Sequence, residues 1–491
     1  MALKLIYKDL PPGAAEDAAV SVNEKESFSD VSQLPFGVNT GAVATLERNA
    51  WGLSQDYKAK GAQPFAFWST EKSNNNGVFT TGPKITIDFD SQYTTTGLTF
   101  RFSPAANEFC TEIFVVWYRD GVVVANDTFY PDSPVFVVEN TVEAFDRVWV
   151  QLNKTNFPNR RAKLEYLGIG VVRDIGGDEL TGASFIHEIS LVSSALPMNV
   201  MDVNFHTKTN SDLIFQKKQP IEAFDGENLV GVYYIESGTR TGARDYSVSA
   251  HDAIGVLEHS IFDGGLWLEH TPVKDVLKAV LGGDFDLDIS TEAETLTVRG
   301  YIPEVTKREA LRQIAFATGL VIDTAGTSKI RAFLPPVSGG STIPAEETYQ
   351  GGSVVTSDMV TKVRVRYSAV LDAEPEEGEE TIRFNKKDYP VLPGSETAMN
   401  PLVVAGTMAN EIEYDGGYLL DYDTAAVRAQ ALLEYHMRRK TYNTSHVLHD
   451  QKPGDHATVA LPWGEPQSGN IIKMTVTISG INASNTDFIL D

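Results

Sequence analysis

The feature that most constrains the fold of this chain is a series of short segments in which apolar and polar residues alternate. They include ITIDFD (Ile85–Asp90), LTFRFS (Leu98–Ser103), IFVVWYRDGVVVAN (Ile113–Asn126), VFVVEN and RVWVQL. A period of two predicts strands with one buried face, and Asp120-Gly121 predicts a hairpin turn. Short strands in such succession predict a β-sandwich or jelly roll.

Three stretches instead have the spacing of amphipathic helices. Thr271 is the predicted N-cap of the first, with Pro272 at its first helical position. In the second, Thr306 and Glu309 have capping-box spacing, so the helix should begin at Lys307 and end before Gly319. The third is predicted over Thr424–Lys440, after Asp423 as its N-cap.

The chain has 491 residues, which at roughly 100–200 residues per domain predicts three or four domains. The predicted fold is mainly β with a smaller α+β part. The predicted divisions are an N-terminal strand and arm (1–36), a jelly roll (37–175), a β region (176–262), a small α+β domain (263–335) and a second β region (336–491) with helix 424–440.

Composition excludes several classes of protein. With 66 acidic and 41 basic residues the formal net charge is −25, which argues against a nucleic-acid binder but not against a surface that DNA merely passes. Acidity that only keeps a large protein soluble is the alternative. Cys110 is the single cysteine, so neither an intrachain disulfide nor a thiolate metal cluster is expected. No signal peptide and no membrane-spanning segment are predicted.

Signatures of catalysis are scarce. His187-Glu188 begins an H-E-x-x-H pattern, but Leu191 occupies the place of the second histidine. The other histidines lack metal-ligand spacing and are interpreted as surface or packing residues. A pair of catalytic carboxylates from distant positions stays open, because acidic residues are too numerous to select two. We therefore predict no enzyme activity, no metal site and no cofactor.

A carbohydrate site is one hypothesis for the first β domain, which is rich in aromatic residues. The stretch FAFWSTEKSNNNGVF (Phe65–Phe79), interpreted as a loop, mixes aromatic and polar side chains. Its candidate sugar ligands are Trp68, Glu71, Asn74 and Asn75. The alternative is that the aromatic rings belong to the core, because such rings bury large apolar areas.

The order of several motifs resembles a known family. HDAIGVLEHSIFDGGLW, an amphipathic helix, VRGYIPEVTKREALRQIAFATGLVIDTAGTSKIRAF, a late RAQALLEYHMRRK helix and KPGDHATV follow one another as in tail hub (baseplate hub or tail-tip) proteins of bacteriophages and phage-tail-like bacteriocins. The resemblance runs from Leu180 to the C-terminus. ITIDFDSQYTTTGLTFRFS and EAFDRVWVQLNKTNFPNRRAKLEYLGIG resemble a galactose-binding-like, discoidin-type jelly roll.

The resemblance implies two hub β-barrels flanking the α+β domain. It also implies a homotrimer whose barrels form a six-fold-like ring between tail tube and spike or tip, with other baseplate proteins as partners. DNA would pass the lumen without specific binding, and a host-surface glycan would bind the jelly roll. Assembly is expected in the bacterial cytoplasm and the mature location is the particle tail. A peptidase or lysozyme domain, present in some relatives, has no counterpart here.

Two functions from different classes therefore stay open. The first is a structural tail hub with an accessory carbohydrate-binding domain. The second is a carbohydrate-binding adhesin or carbohydrate-active enzyme, which a jelly roll alone would permit because fold does not fix function.

Overall fold

The structure is a computed structural model that describes residues 3–11, 13–23, 30–37, 65–104, 106–207, 215, 217–447, 449–478 and 482–491. The chain forms two compact units. The smaller unit is Ile6–Asp174, and the larger unit combines Met1–Leu5 with Ile175–Asp491. The boundary between the two units falls within two strands, β1 (Leu3–Asp9) and β10 (Val171–Gly176), which are neighbours in one sheet.

The smaller unit is built from antiparallel strands and one short helix, α1 (Ala14–Asp17). Its strands are β2 (Ala19–Val22), β3 (Phe67–Lys72), β4 (Lys84–Arg101), β5 (Cys110–Arg119), β6 (Val122–Phe129), β7 (Val135–Thr155), β8 (Arg161–Leu164) and β9 (Tyr166–Ile169). One sheet has the order β2-β4-β7-β5-β6, β9 also pairs with β4, and β3 pairs with β8. Alternate strand residues such as Ile85, Ile87 and Trp117 fill the core, as the period of two predicts.

Several predicted strands are parts of longer ones. ITIDFD and the first four residues of LTFRFS lie in β4, and VFVVEN and RVWVQL both lie in β7. The register between β4 and β7 shifts between Asp88 and Gly97, and such bulges bend a strand without ending it. The hairpin turn is confirmed, since Asp120 and Gly121 have φ of 50° and 76° between β5 and β6. Residues Ala19–Val22, from the predicted arm, pair with β4.

The larger unit contains the remaining elements. Its strands are β11 (Leu180–Glu188), β12 (Val200–His206), β13 (Pro220–Asp225), β14 (Asn228–Arg240), β15 (Asp245–His251), β16 (Ile261–Phe262), β17 (Gly265–Pro272), β18 (Leu287–Ile289), β19 (Thr297–Ile302), β20 (Val305–Thr306), β21 (Val321–Asp323), β22 (Ile330–Phe333), β23 (Ser341–Ile343), β24 (Thr348–Thr356), β25 (Lys362–Val370), β26 (Thr381–Phe384), β27 (Lys387–Met399), β28 (Glu411–Asp415), β29 (Lys440–Val447), β30 (His456–Val459), β31 (Gln467–Ile478) and β32 (Asn482–Leu490). Its helices are α2 (Ala253–Leu257), α3 (Val273–Leu281), α4 (Lys307–Thr318) and α5 (Tyr422–Met437). The fold is therefore mainly β with a small α+β part.

A single sheet contains strands from before and after the α+β part. Its path runs β13-β14-β15-β12-β11-β31-β32-β29-β24. The connection is the antiparallel pair β11–β31, from Ala183 opposite Ile478 to Glu188 opposite Lys473. The α+β part lies between these strands in sequence, and its core is formed by α2, α3, α4 and the short strands β18, β19, β21 and β22.

The ends of α4 agree with the prediction, whereas the start of α3 does not. Thr306 Oγ1 accepts a hydrogen bond from Glu309 N (3.2 Å), and Gly319 closes the helix in the left-handed conformation, with φ of 78°. The Glu309 carboxylate, predicted to complete the capping box, instead binds Arg312. Helix α3 begins at Val273, because Thr271 and Pro272 still pair with β19 as part of β17.

Helix α5 is shifted toward the N-terminus relative to the prediction. Its N-cap is Asp421 and not Asp423, and Asp421 and Thr424 form a reciprocal capping box. It ends at Met437, because the backbone of Arg438 leaves the helical conformation, with ψ of 81°. The guanidinium of Arg438 donates a hydrogen bond to the carbonyl oxygen of Ile489 (2.6 Å). Across the described ranges, the helices lack the length and apolarity that a bilayer crossing requires.

Candidate functional site

The four candidate sugar ligands lie in a strand and the turn that follows it. Phe67–Lys72 form β3, so the prediction of a loop over the whole stretch was wrong. Trp68 is half-buried and pairs with Lys163 of β8. Glu71 is half-buried near the end of the strand, whereas Asn74 and Asn75 are exposed in the turn.

The indole of Trp68 lies over a buried group of charges. Lys163 Nζ is 5.8 Å from the ring centroid, which is within the range of a cation–π contact. The same Nζ lies 2.6 Å from Glu108 Oε2, and Arg160 Nε lies 2.6 Å from Glu108 Oε1. The Phe65 ring is 5.8 Å away between centroids. The contacts with Lys163 and Phe65 fix the orientation of the indole.

Glu71 and Asn74 hold the turn in shape. Glu71 Oε1 accepts hydrogen bonds from the backbone N–H groups of Thr80 (2.6 Å) and Thr81 (3.4 Å). Asn74 Oδ1 accepts from the N–H groups of Asn76 (2.8 Å) and Val78 (3.1 Å). Such bonds are typical of asparagine in turns. The side chains of Glu71 and Asn74 therefore stabilise the turn, a role that the sequence analysis did not predict.

Asn75 lies at the other end of the ladder from Trp68. Its Oδ1 accepts a hydrogen bond from Asn159 Nδ2 (3.1 Å), whereas Trp68 is opposite Lys163. Asn159 lies in the turn before β8 (Arg161–Leu164), and the four residues from Asn159 to Lys163 can separate these two positions by at most roughly 14 Å. The four residues therefore belong to two positions, the strand around Trp68 and the turn that contains Asn74 and Asn75.

The larger unit contains a buried polar network that the sequence analysis missed. Asp252 Oδ2 accepts from Asn199 N (3.0 Å) and Thr324 Oγ1 (2.6 Å), and its Oδ1 accepts from Gly255 N (3.1 Å). Asn199 Nδ2 donates to Asp323 Oδ1 (3.1 Å). Burial raises the pKa of Asp252 to about 6, although these hydrogen bonds lower it.

This network stabilises the packing of three chain segments. It links the segment before β12, the N-terminus of α2 and the end of β21, and Asn199, Asp252 and Asp323 are at most 2% exposed. Protein donors occupy the carboxylate oxygens of these buried side chains, which suits a role in stabilising the fold. The sequence feature that could have predicted this network is Asp323-Thr324 at the end of the apolar strand β21, in VIDTAG.

His187 and Cys110 are also enclosed. His187 lies in β11, not in a helix as a zinc protease motif requires, and burial lowers the pKa of its imidazole to about 4. Cys110 is the first residue of β5, and burial raises the pKa of its thiol. A buried neutral thiol is a poor nucleophile.

The chain was also compared with known proteins. No family model matches the sequence, and no curated protein matches it either. Similar solved structures include a tail protein from Neisseria meningitidis MC58, with 13% identity over 64% of this chain and 92% of that chain and a TM-score of 0.46. The 43 kDa tail protein of prophage MuSo2 from Shewanella oneidensis has 10% identity over 65% and 94%, with a TM-score of 0.46. Prophage tail protein gp18 from Listeria monocytogenes EGD-e has 10% identity over 64% and 91%, with a TM-score of 0.42.

Proposed function

We propose that this chain is a structural hub subunit in the tail of a bacteriophage or phage-tail-like particle, connecting the tail tube to the tip or spike. The observation that carries this proposal is the pairing of β11 with β31. It joins the β regions on both sides of the α+β part in one sheet. Two β regions flanking a small α+β domain are what the resemblance to tail hubs implies.

The proposed subunit acts as a homotrimer around a channel. Support comes from β24, which ends the path of the large sheet and carries Val355, with 64% of its surface exposed. Sheet edges with apolar side chains are usually covered by a partner, and closed cyclic assembly does so. The net charge of −25 suits a lumen that repels DNA phosphates.

The test combines native mass spectrometry of the free protein with an electron-microscopy map of tails purified from the producing bacterium. We expect three copies around an open, acidic channel at the end of the tube. A monomer or a two-fold pair in the assembled particle would refute the proposal, as would a channel lined mainly by lysine and arginine.

The smaller unit is proposed to bind a host-surface carbohydrate through the Trp68 position, the Asn74–Asn75 position or both. The proposal is supported by the exposed amides in the turn and by an indole fixed in orientation by Lys163. Binding of host wall polysaccharide should fall in at least one of Asn75→Ala and Trp68→Ala. It should stay unchanged in Val122→Ala, an exposed residue of β6. Equal binding by Asn75→Ala, Trp68→Ala and the wild type would exclude this site.

We further propose that the chain has no hydrolytic role. The support is the burial of Cys110, His187 and Asp252, which are 1%, 6% and 1% exposed, so that these reactive side chains have little contact with solvent. Incubation with peptidoglycan and wall polysaccharides should release no soluble fragments above background. Release of fragments would favour the carbohydrate-active enzyme instead.

A further inference from the structure

An open groove runs along helix α5 in the larger unit. Its volume is about 660 Å³, and its walls come from the segment before β12, the end of α4, the segment after β22 and α5 itself. We call it the α5 groove. Its apolar lining residues include Leu191, Val192, Leu334, Val337, Val427 and Ala431.

Three apolar side chains of the α5 groove are exposed, with no cover from the described part of the chain. Val337 is 84% exposed, Val427 is 71% exposed and Leu334 is 38% exposed. Apolar side chains grouped in one groove typically mark a surface that another molecule covers. The groove is open along its length, which suits a segment of polypeptide better than an enclosed small ligand. Helix α5 has 16 residues and is thus roughly 24 Å long, which about seven extended residues would match.

The floor of the α5 groove contains a buried cation. Arg428 is only 7% exposed, and its guanidinium lies 5.0 Å from the centroid of the Phe316 ring. Within the described part of the chain its hydrogen bonding is limited to Nη2 donating to the carbonyl oxygen of Val192 (2.5 Å). Nε is fully buried and has no acceptor there. Burial lowers the pKa of Arg428 to about 10, so the side chain is still charged at neutral pH.

The other charged groups of the groove do not neutralise Arg428. Arg438 is engaged by the Asp491 carboxylate, 3.1 Å away. Glu434 accepts a hydrogen bond from Gln430 on the exposed face of α5, and Asp423 is exposed at the start of the helix. Neither carboxylate is within ion-pair distance of Arg428. A buried charge without a counter-charge is costly, and a carboxylate that reaches it forms one of the stronger hydrogen-bonded pairs.

We propose that the α5 groove binds a segment of a partner protein in which an aspartate or glutamate lies between apolar side chains. The apolar side chains would cover Val337 and Val427, and the carboxylate would accept hydrogen bonds from Arg428, whose Nη1 makes no bond within the described residues. This proposal does not depend on the hub assignment, because its support is the charge and shape of the groove.

The test begins with a library of random nine-residue peptides displayed on phage and selected on the immobilised full-length protein. Peptides that also bind Ala431→Trp are removed, because Ala431 is exposed and a tryptophan there would fill the groove. We expect the remaining sequences to share one acidic residue flanked by apolar residues. A fluorescent copy of one such peptide should bind at least about tenfold more weakly when its acidic residue becomes the amide.

Substitutions on the protein then locate the contact. Arg428→Met should abolish the preference for the acid over the amide. Because Arg428→Met can also disturb packing, the exposed Val427 provides a second pair. Val427→Glu and Val427→Lys both remove the same apolar contact, but Val427→Glu should weaken binding of the acidic peptide several-fold more than Val427→Lys. Tyr422→Ala, at an exposed residue of the same helix outside the groove, should leave binding unchanged.

Three results would overturn the proposal. The first is selected peptides without a shared acidic residue, and the second is equal affinity for acid and amide. The third is that every selected peptide binds Ala431→Trp as well as it binds the wild type. If no peptide is selected and the protein self-associates in a way that Ala431→Trp abolishes, the occupant is a second copy of this chain instead.

Discussion

His187 Nε2 lies 2.5 Å from the hydroxyl oxygen of Tyr233, and both side chains are buried between β11 and β14. The two rings are nearly parallel, 14° apart, with centroids 6.3 Å apart. The pKa of His187 is lowered to about 4, chiefly by burial; the charge of Asp323 opposes this change and the charge of Lys452 adds to it. The imidazole is therefore neutral in the folded protein across the range in which an unfolded histidine becomes charged.

The first prediction is a pH-dependent contribution of His187 to stability. A depressed folded pKa means that the unfolded state binds a proton first as the pH falls from about 6.5 to about 4. The wild type should lose up to roughly 3 kcal/mol relative to His187→Gln over this range. Urea unfolding of the larger unit at a series of pH values measures the difference. His259→Gln, at an exposed position, is the control.

Asp252 affects the pH dependence of stability in the opposite direction to His187. Burial raises its folded pKa to about 6, so the folded state binds a proton first as the pH falls, and stability rises. The wild type should therefore show a weaker pH dependence between 4 and 6 than His187→Gln, in which only the effect of Asp252 remains. A constant difference between the two proteins at all pH values would show that His187 is not buried as described.

The second prediction concerns the start of α4. Thr306→Ala should lower the free energy of unfolding by about 1 kcal/mol, because Thr306 Oγ1 accepts the hydrogen bond of Glu309 N. Thr271→Ala is a matched control, since Thr271 belongs to β17 and does not cap α3. Denaturant midpoints of both variants measure this. Equal losses would mean that α3 is capped by Thr271 after all.

The helices show what the sequence could and could not predict. The α4 ends were predicted correctly because Thr306 and Gly319 are local signals that act within one turn. The start of α3 was not, because Thr271 and Pro272 pair with β19, a contact with residues 25 or more positions away. The Asn199–Asp252–Asp323 network was missed for the same reason: its members are distant in sequence, and burial alone gives them their role.

The third prediction follows from the corrected start of α5. Asp421 Oδ1 accepts from Thr424 N (3.0 Å), and Asp421 N donates to Thr424 Oγ1 (2.9 Å). Asp421→Ala should therefore cost about 1 kcal/mol of stability, as the loss of an N-cap usually does. Asp423→Ala, at the position that the sequence suggested, should cost much less. Hydrogen exchange of the first α5 turn distinguishes the two, and faster exchange only in Asp423→Ala would contradict the observed cap.

The final prediction is that the larger unit folds without the smaller one. Strands β1 and β10 are neighbours, and a side chain at Gly170 would collide with the carbonyl oxygen of Asp9, so the two backbones nearly touch. A short Asn-Gly turn can therefore replace Leu10–Gly170 and join the strands as a hairpin. This cut also removes β2, which would otherwise lose its partner β4.

We expect the shortened protein to be soluble and to retain the cooperative unfolding of the larger unit, because strands β11–β15 and β29–β32 pair among themselves. Circular dichroism and thermal unfolding provide the measurement. An insoluble product would show that the smaller unit is required for folding. If the shortened chain enters tails that still adsorb normally to cells, the folding prediction holds and the carbohydrate-binding role of the smaller unit is refuted.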